Sequence, residues 1–383
     1  MVDIGAPTYR YTQAGLGAIR GDWSAVCEDG YVRRRLARSV WIVHWGAAIG
    51  LSSYFRQTVW VEINFGVFIP QGWKMDLVSI SDPVDKWAKA VEVAKYAEEL
   101  NLDSLWVYDH FHNVPKPANE TVFDCWTVLA AISQVTSRIK LGQMVTCTPY
   151  REPSLTAKIT SNLDVMSNGR LIWGVGAGWY EHEFVGYGYR FPSPADRIKM
   201  MEEAIEIVTA MWSQQDVNYE GRFYSMRGGQ CDPKPVQRPR PQVLIGGQGE
   251  QLTLRAVARL GDASNFGGTP EQFAHKCAVL RDHCRDVGRD YDEIQKTICG
   301  EIVIREDEKD VVDGGSRSIQ GVEFEEWRSL NFVGTPEQVA EKMQAYIDQG
   351  CTAFYPWCSD YPETESVRLL AEKVMPEIRR ANS

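Results

Sequence analysis

The sequence predicts an α/β fold, a closed (βα)8 barrel of the TIM type with loop insertions over its C-terminal face. Short apolar segments alternate with longer segments whose apolar residues recur at helical spacing. Eight such pairs follow residue 62 in the 383-residue chain, a length that suits one closed barrel. Since alternating strands and helices also build open parallel sheets, a doubly wound sheet is the alternative.

The elements follow one another without a repeat or a low-complexity segment. The predicted strands are 63–69, 104–108, 139–146, 171–175, 242–245, 263–266, 296–304 and 352–355. The predicted helices are 83–100, 122–135, 153–166, 195–212, 250–260, 269–287, 335–349 and 363–379.

Capping residues mark several helix starts. Asp82 precedes Pro83, and the pentapeptide GTPEQ occurs at both 268–272 and 334–338. Threonine as N-cap, proline at the first position and glutamate in the first turn explain the repeated pentapeptide as a helix start. Two segments break the alternation, 217–240 and 305–331, and we expect both to be insertions over the face of the barrel.

Composition limits the function classes. The net charge of −10 argues against a nucleic-acid or anionic-membrane partner, because either needs clustered basic residues. The nine cysteines are odd in number and contain no CxxC pair, so they indicate neither a disulfide framework nor a zinc site. We therefore expect a reducing compartment and a cytoplasmic protein with no bound metal.

Residues 1–62 do not share this pattern. Three arginines at 33–35 precede an apolar run over 40–51, an order typical of secretory signals. The run begins far into the chain and is too short to span a bilayer. We interpret 1–62 as an extension outside the fold, disordered or not native, with a translation start near Val59 or Val61, and 63–383 as the barrel domain.

In a (βα)8 barrel the reacting groups follow the strands. Asp109 and His110 come directly after the second strand, where a histidine donates a hydrogen bond or a proton near neutral pH. A loop-capping or core histidine is the alternative. The run GGQG at 246–249 precedes a predicted helix, so its backbone N–H groups are candidates for binding a phosphate, although an ordinary glycine turn has the same pattern.

Several longer segments together resemble the luciferase-like monooxygenase superfamily, in its branch that uses the deazaflavin coenzyme F420. The matching segments are FGVFIPQ at 65–71, SLWVYDHF at 104–111, RIKLGQMVTC at 138–147, GRLIWGVGAGWYEHEF at 169–184, PRPQVLIGGQGEQLTLRAVARLGD at 239–262 and GTPEQVAEKMQAY at 334–346. The resemblance covers 63–383.

The resemblance implies a cofactor whose ring lies against the second to fourth strands and whose phosphate lies near the later loops. Asp109 and His110 would be the catalytic pair, and a non-proline cis peptide at Met144-Val145 would support the ring. The implied cofactor-binding residues are Asp109, Met144, Val145, Cys147, Gly176, Ala177, Gly178, His182, Gly246, Gly247, Gln248 and Gly249. The implied substrate-pocket residues are Trp179, Tyr180 and Glu183.

The implied activity is hydride transfer between F420 and a small organic substrate. An FMN-dependent monooxygenase on the same barrel, supplied by a separate cofactor-reducing enzyme, is the alternative, and family members often form homodimers. One departure concerns the substrate: the sugar-phosphate dehydrogenases of this branch have a glutamate where this chain has Trp179, with Glu181 and Glu183 following. That departure argues against a sugar-phosphate alcohol.

Overall fold

The computed structural model describes residues 62–315 and 323–383. The predicted extension therefore lies outside the described residues except for Glu62. The two helix-starting pentapeptides, all the predicted strands and every predicted site residue lie inside them.

Eight parallel strands close into a barrel, as predicted. They are β1 (Asn64–Phe68), β2 (Ser104–Val107), β3 (Lys140–Gln143), β4 (Leu171–Gly176), β5 (Gln242–Gly246), β6 (Ala263–Asn265), β7 (Gln295–Ile298) and β8 (Ala353–Phe354). Each strand pairs with the next in the chain, and β8 pairs with β1. Closure leaves no open sheet edge, and this excludes the doubly wound alternative.

The barrel helices lie between these strands. They are α1 (Pro83–Glu99), α2 (Cys125–Val135), α3 (Pro153–Met166), α4 (Pro194–Ser213), α5 (Thr253–Leu260), α6 (Pro270–Val287), α7 (Pro336–Ile347) and α8, which runs from Glu365–Leu369 through a π-helical turn at Leu370–Val374 to Met375–Ala381. Short helices at Glu181–Gly186, Glu308–Gly315 and Phe324–Leu330 and 3₁₀ turns at Thr148–Tyr150 and Tyr291–Glu293 complete the set.

The predicted helix starts are confirmed. Asp82 accepts hydrogen bonds from the backbone of Val84 and Asp85 at the start of α1. Thr269 and Thr335 each form a capping box with the glutamine three residues on, at the starts of α6 and α7. Because the box satisfies two backbone N–H donors with side-chain oxygens of the threonine and the glutamine, it explains why the same pentapeptide occurs at both helix starts.

The seventh predicted strand divides. Its first half is β7, whereas its second half, Glu301–Ile304, joins a separate three-stranded sheet with Phe332–Gly334 and Trp357–Cys358. The division falls at Cys299-Gly300, beyond the carboxyl end of the barrel. The segment 305–331 therefore belongs to this C-terminal face, as predicted, although 316–322 lie outside the described residues.

The other insertion is not where we expected it. Strands Val217–Glu220 and Ser225–Gly229 form an antiparallel hairpin that packs against α4. Glu203 on α4 accepts the backbone N–H groups of Arg222, Phe223 and Tyr224. The segment connects α4 to β5, so it starts at the N-terminal end of the barrel and lies along the flank of α4 instead of covering the mouth.

Two apolar layers hold the barrel together. Along β2, Leu105 and Val107 face the helices, whereas Trp106 and Tyr108 face the barrel interior. Trp106 packs against Tyr355 inside the barrel, with ring centroids 4.2 Å apart. No helix in the described parts of the chain is both long and apolar enough to span a membrane.

Candidate active site

Asp109, directly after β2, is a buried anchor. Its Oδ2 accepts the backbone N–H of Cys147 at 2.9 Å and Nη1 of Arg151 at 2.6 Å. The second guanidinium nitrogen of Arg151 donates to Asp124, the N-cap of α2, at 3.1 Å. Burial lowers the pKa of Arg151, but Asp109 and the other negative groups around it together raise it by more. The pKa therefore lies above its ordinary value, and the guanidinium stays charged. Asp109 thus ties β2 to the segment after β3.

His110 faces the mouth of the barrel. Its Nδ1 lies 2.8 Å from Oε2 of Glu183, and its ring stacks on Trp73 with centroids 4.1 Å apart and an interplanar angle of 4°. Within the described residues, Nε2 makes no hydrogen bond. The carboxylate on Nδ1 favours the tautomer that carries the proton there, so Nε2 is left to act as a proton acceptor or, once protonated, as a donor.

Glu183 does not line a substrate pocket, contrary to the prediction. Its side chain is fully buried and accepts the backbone N–H groups of Phe111 and His112 as well as the hydroxyl of Tyr150. We call Glu183, these two N–H groups, Tyr150 and His110 the Glu183 cluster. Burial raises the pKa of Glu183, but the bonds and charge of His110 and the other donors outweigh it, so the pKa is lowered.

The predicted cis peptide is present between Met144 and Val145. It separates β3 from a two-residue strand, Thr146–Cys147, that pairs with the end of β4. Val145 packs over two glycines: a Cβ on Gly176 would lie 2.4 Å from its Cγ2, and one on Gly246 would lie 2.8 Å from its Cγ1. Only glycine at both positions leaves room for this bulge across the ends of β4 and β5.

Cys147 and the residues after β4 form the adjoining wall. The Cys147 thiol is buried beneath Gly178, where a Cβ would lie 2.5 Å from its sulfur. Burial raises the pKa of Cys147 well above that of a free thiol, so it remains a neutral packing group. Ala177 and Gly178 are partly exposed and face the same opening.

The glycine run 246–249 is a loop before a helix, as predicted, but the helix begins at Thr253 and not at residue 250. Gly247 N–H donates to Asn265 O, residues 250–252 form a turn, and α5 begins only at Thr253. In the described chain, the N–H groups of Gln248 and Gly249 have no acceptor. Two exposed amides at a glycine turn are suited to a phosphate.

Three other predicted residues lie at the surface of the mouth. Trp179 is 60% exposed, and its ring centroid is 5.9 Å from that of His110. Tyr180 donates to Asn113 O at 3.2 Å. His182 differs from its predicted cofactor contact: its Nδ1 lies 2.8 Å from Nδ1 of His112 in an exposed pair.

A metal has no vacant place beside Asp109. Oxygen and sulfur atoms of Asp109, Asp124 and Cys125 lie within 4.8 Å of one another. The guanidinium of Arg151 already bridges the two carboxylates. The cation that this cluster holds is therefore Arg151.

Sequence reasoning missed Trp73, which stacks on His110, and Tyr150, which donates to Glu183. Trp73 lies in the loop after β1, and Tyr150 lies in the 3₁₀ turn after β3. Each lies after a barrel strand, and that position alone could have marked it as a candidate site residue. An aromatic residue in such a position, however, is more often part of the hydrophobic core. The contact between His110 and Glu183 spans 73 residues, and no local pattern encodes it.

The site residues fit a flat anionic cofactor. Val145, Ala177 and Gly178 are partly exposed residues without polar side chains, and the unpaired amides of Gln248 and Gly249 are donors suited to a phosphate. His110, after β2, has a nitrogen without a hydrogen-bond partner in the described residues. Lys276 contributes positive charge near this loop, where it donates to Gln248 O and pairs with Glu250.

Comparisons with known proteins identify the family of this chain. A family model described as luciferase-like monooxygenase matches residues 63–323. An F420-dependent glucose-6-phosphate dehydrogenase from Microbacterium testaceum is 25% identical over 315 residues, 74% of this chain and 91% of the relative. An FMNH(2)-dependent dimethylsulfone monooxygenase from Pseudomonas putida is 25% identical over 252 residues, 57% of this chain and 69% of the relative.

A solved structure has the same fold. It is an F420-dependent secondary alcohol dehydrogenase in complex with an F420-acetone adduct, with a TM-score of 0.70 at 20% identity. The superposition covers 83% of this chain and 99% of that one.

Proposed function

This chain belongs to the luciferase-like monooxygenase family, and we propose that it is an oxidoreductase that uses coenzyme F420 to transfer a hydride to or from a small organic substrate. Relatives of this chain include enzymes named for F420 and enzymes named for FMN. The choice between them is our inference.

The observation that carries the proposal is the placement of His110. Glu183 holds Nδ1 and Trp73 supports the ring face, while Nε2 has no hydrogen-bond partner in the described residues. Hydride transfer to a carbonyl needs a proton for the oxygen, and the reverse reaction needs a base that removes it. A histidine whose second nitrogen is fixed by a carboxylate meets both needs without moving.

The other residues bind and orient. When bound, F420 supplies a carbon centre that exchanges a hydride as a two-electron carrier. Val145, Ala177 and Gly178 would support its ring, and the amides of Gln248 and Gly249 would hold its phosphate. The Asp109–Arg151 pair fixes the segment that carries Cys147 and thereby the shape of the ring site. Trp179 limits water at the opening.

A monooxygenase that uses reduced FMN is the second candidate. The similarity to the Pseudomonas putida enzyme supports it, since FMN has a flat ring and one phosphate that the same residues would hold. The two candidates differ in the cofactor bound and in the need for oxygen.

Equilibrium titration of the purified protein with each cofactor tests the choice. We expect F420 to bind at micromolar concentration and FMN to bind more weakly. Q248E, which adds a negative charge beside the proposed phosphate site, should weaken binding several-fold. Q251E, three residues further along, is the matched control and should weaken it less. Tight binding of FMN with none of F420 would overturn the proposal in favour of the second candidate.

A further inference from the structure

A cavity lies beside the catalytic histidine and plays no part in the function proposed so far. It lies between the loop after β1 and the segment after β8, and its volume is about 410 Å³. Its lining is largely aromatic and aliphatic, with Phe68, Val78, Trp357 and Tyr361 among the walls. We call it the Lys74 cavity, after the one lysine in its lining. A volume of this size suits a small organic ligand.

Lys74 is a buried cation without an anionic partner in contact. The residue is 8% exposed, and its Nζ lies 4.1 Å from the ring centroid of Trp357 and 4.9 Å from that of Trp73. Within the described residues, Nζ makes no hydrogen bond and no ion pair. Burial lowers its pKa, while the charges of Glu301, Cys299 and Asp76 oppose the shift. A buried ammonium of this kind is stabilised by an acceptor that binds it.

A second donor lines the same cavity. Tyr108 is 5% exposed, and its ring packs between Phe68 and Trp73 with both centroid distances at 4.2 Å. Its hydroxyl is buried and has no hydrogen-bond partner in the described structure. The indole nitrogen of Trp357 is likewise buried without a partner. Native proteins rarely leave several donors unsatisfied around one cavity, and a bound ligand is one explanation.

The cavity's own carboxylates do not satisfy these donors. Asp76 accepts the backbone N–H groups of Gly72 at 2.6 Å and Gln71 at 3.3 Å, so both of its oxygens are engaged by its own loop. Burial raises the pKa of Asp76 to about 6 against these bonds. Glu363 is exposed and lies at the rim. The interior therefore presents one ammonium and two unsatisfied donors, beside a carboxylate, Asp76, whose hydrogen bonds go to its own loop.

Trp73 connects two residues of the cavity lining, Lys74 and Tyr108, to the catalytic histidine. Trp73 stacks on His110 with one face, and Tyr108 contacts the same indole. A group bound beside Lys74 is therefore one aromatic ring away from the proton donor. The sequence placed no residue of the β1 loop in the site, so this neighbour was not anticipated.

We propose that the Lys74 cavity binds a carboxylate of the substrate, with Lys74 and Tyr108 as the recognition residues and the aromatic walls around an apolar body. A carboxylate matches one charge and two or three donors, whereas a phosphate dianion needs more donors and more charge than the cavity offers. A neutral carbonyl would leave the ammonium uncompensated. The inference rests on the proposed function, because it names the class of substrate for that site: a small apolar acid.

Isothermal titration calorimetry with two isosteric probes tests it. The probes are 3-phenylpropionate and 3-phenylpropionamide, each titrated into the full-length protein without coenzyme. We expect the acid to bind at least about tenfold more tightly than the amide, since the charged hydrogen bonds to Lys74 are lost with the amide. K74M should remove that preference by weakening the acid and not the amide. Y108F should weaken the acid about three- to tenfold.

The matched control is K296M. Lys296 is also a buried lysine over an aromatic ring, with Nζ 4.2 Å from the centroid of Tyr291, but it is in the first half of β7 at the opposite end of the barrel. Its replacement should leave acid binding unchanged. Equal affinity for acid and amide, no binding of either at millimolar concentration, or an equal loss in K296M would each overturn the inference.

The two proposals fail separately. No coenzyme is present in the calorimeter, so a failure of F420 to bind leaves the carboxylate result intact. Conversely, hydride transfer by a protein that binds no acid would refute the Lys74 cavity as a substrate site and leave the proposed function standing.

Discussion

The Glu183 cluster and the Lys74 cavity lie on either side of Trp73, and they treat buried polar groups in opposite ways. In the cluster each carboxylate oxygen of Glu183 has two partners, and the neighbouring Asp109 is paired with Arg151. In the cavity, within the described residues, the ammonium of Lys74 has no hydrogen bond or ion pair and the hydroxyl of Tyr108 has no hydrogen bond. The comparison indicates that the Glu183 cluster, in which both carboxylate oxygens are paired, is a rigid support. In our proposal the unpaired groups of the Lys74 cavity bind a ligand.

The largest expected effect is on the proton step. H110A should lower turnover by about 10²- to 10⁴-fold, the range typical of a lost general acid or base. Coenzyme affinity should change little, because the ring contacts are elsewhere. Stopped-flow turnover together with a binding titration measures both. H112A is the control, since it keeps the backbone bond to Glu183. Unchanged turnover in H110A would remove His110 from the mechanism.

The next largest effect concerns the stability of the paired region around Asp109, next to the Glu183 cluster. R151M leaves Asp109 buried without its cation, which we expect to cost about 3–5 kcal/mol in the free energy of unfolding. Chemical denaturation measures it. R222M breaks an exposed pair with Asp196 and should cost less than about 1 kcal/mol. Similar losses in the free energy of unfolding for R151M and R222M would mean that the burial of the Asp109–Arg151 pair contributes nothing to stability.

E183Q tests the Glu183 cluster through the pH dependence of the free energy of unfolding. An amide cannot accept from all four donors around Glu183, so we expect a loss of about 1–3 kcal/mol in the free energy of unfolding at neutral pH. The pKa of Glu183 is lowered in the folded protein, so its stabilisation is present above the ordinary value of 4.5 and is lost as the pH falls through the folded pKa. The gap between wild type and E183Q should therefore narrow below that pH. A gap that is constant down to pH 3 would contradict the account.

The smallest effect has the opposite sign. K74M replaces an unpartnered buried ammonium by an apolar side chain of similar length, so the free energy of unfolding should stay unchanged or rise by up to about 1 kcal/mol. Thermal and chemical denaturation of the ligand-free protein measure it. A loss comparable to that of R151M would show that Lys74 has a structural partner, and the contrast between the two regions would fail.

The barrel was predictable because its signals are local. Strand and helix periodicity gave all eight strand–helix pairs, and the two GTPEQ segments marked the helix starts at α6 and α7 correctly. The errors arose where tertiary context decides. The hairpin along α4 is fixed by Glu203, and the division of the seventh strand depends on the small sheet beyond the barrel.

The candidate site was predictable in part. The sequence placed candidate residues at strand ends, because topology brings strand ends together, and the cis peptide at Met144-Val145 followed from the resemblance and is present. The role of Glu183 was assigned wrongly because a carboxylate near the mouth looks like a substrate ligand until its four donors are known. Lys74 was missed because burial of a lysine in a loop leaves no mark on the sequence.

Anaerobic reduction or oxidation of bound F420 by a panel of small alcohols, ketones and unsaturated acids tests the central claim most directly. The account predicts that the coenzyme spectrum changes in a single turnover without oxygen, and that H110A slows this change while still binding the coenzyme. A protein that leaves F420 unchanged with every substrate, but consumes oxygen when given reduced FMN, would contradict it.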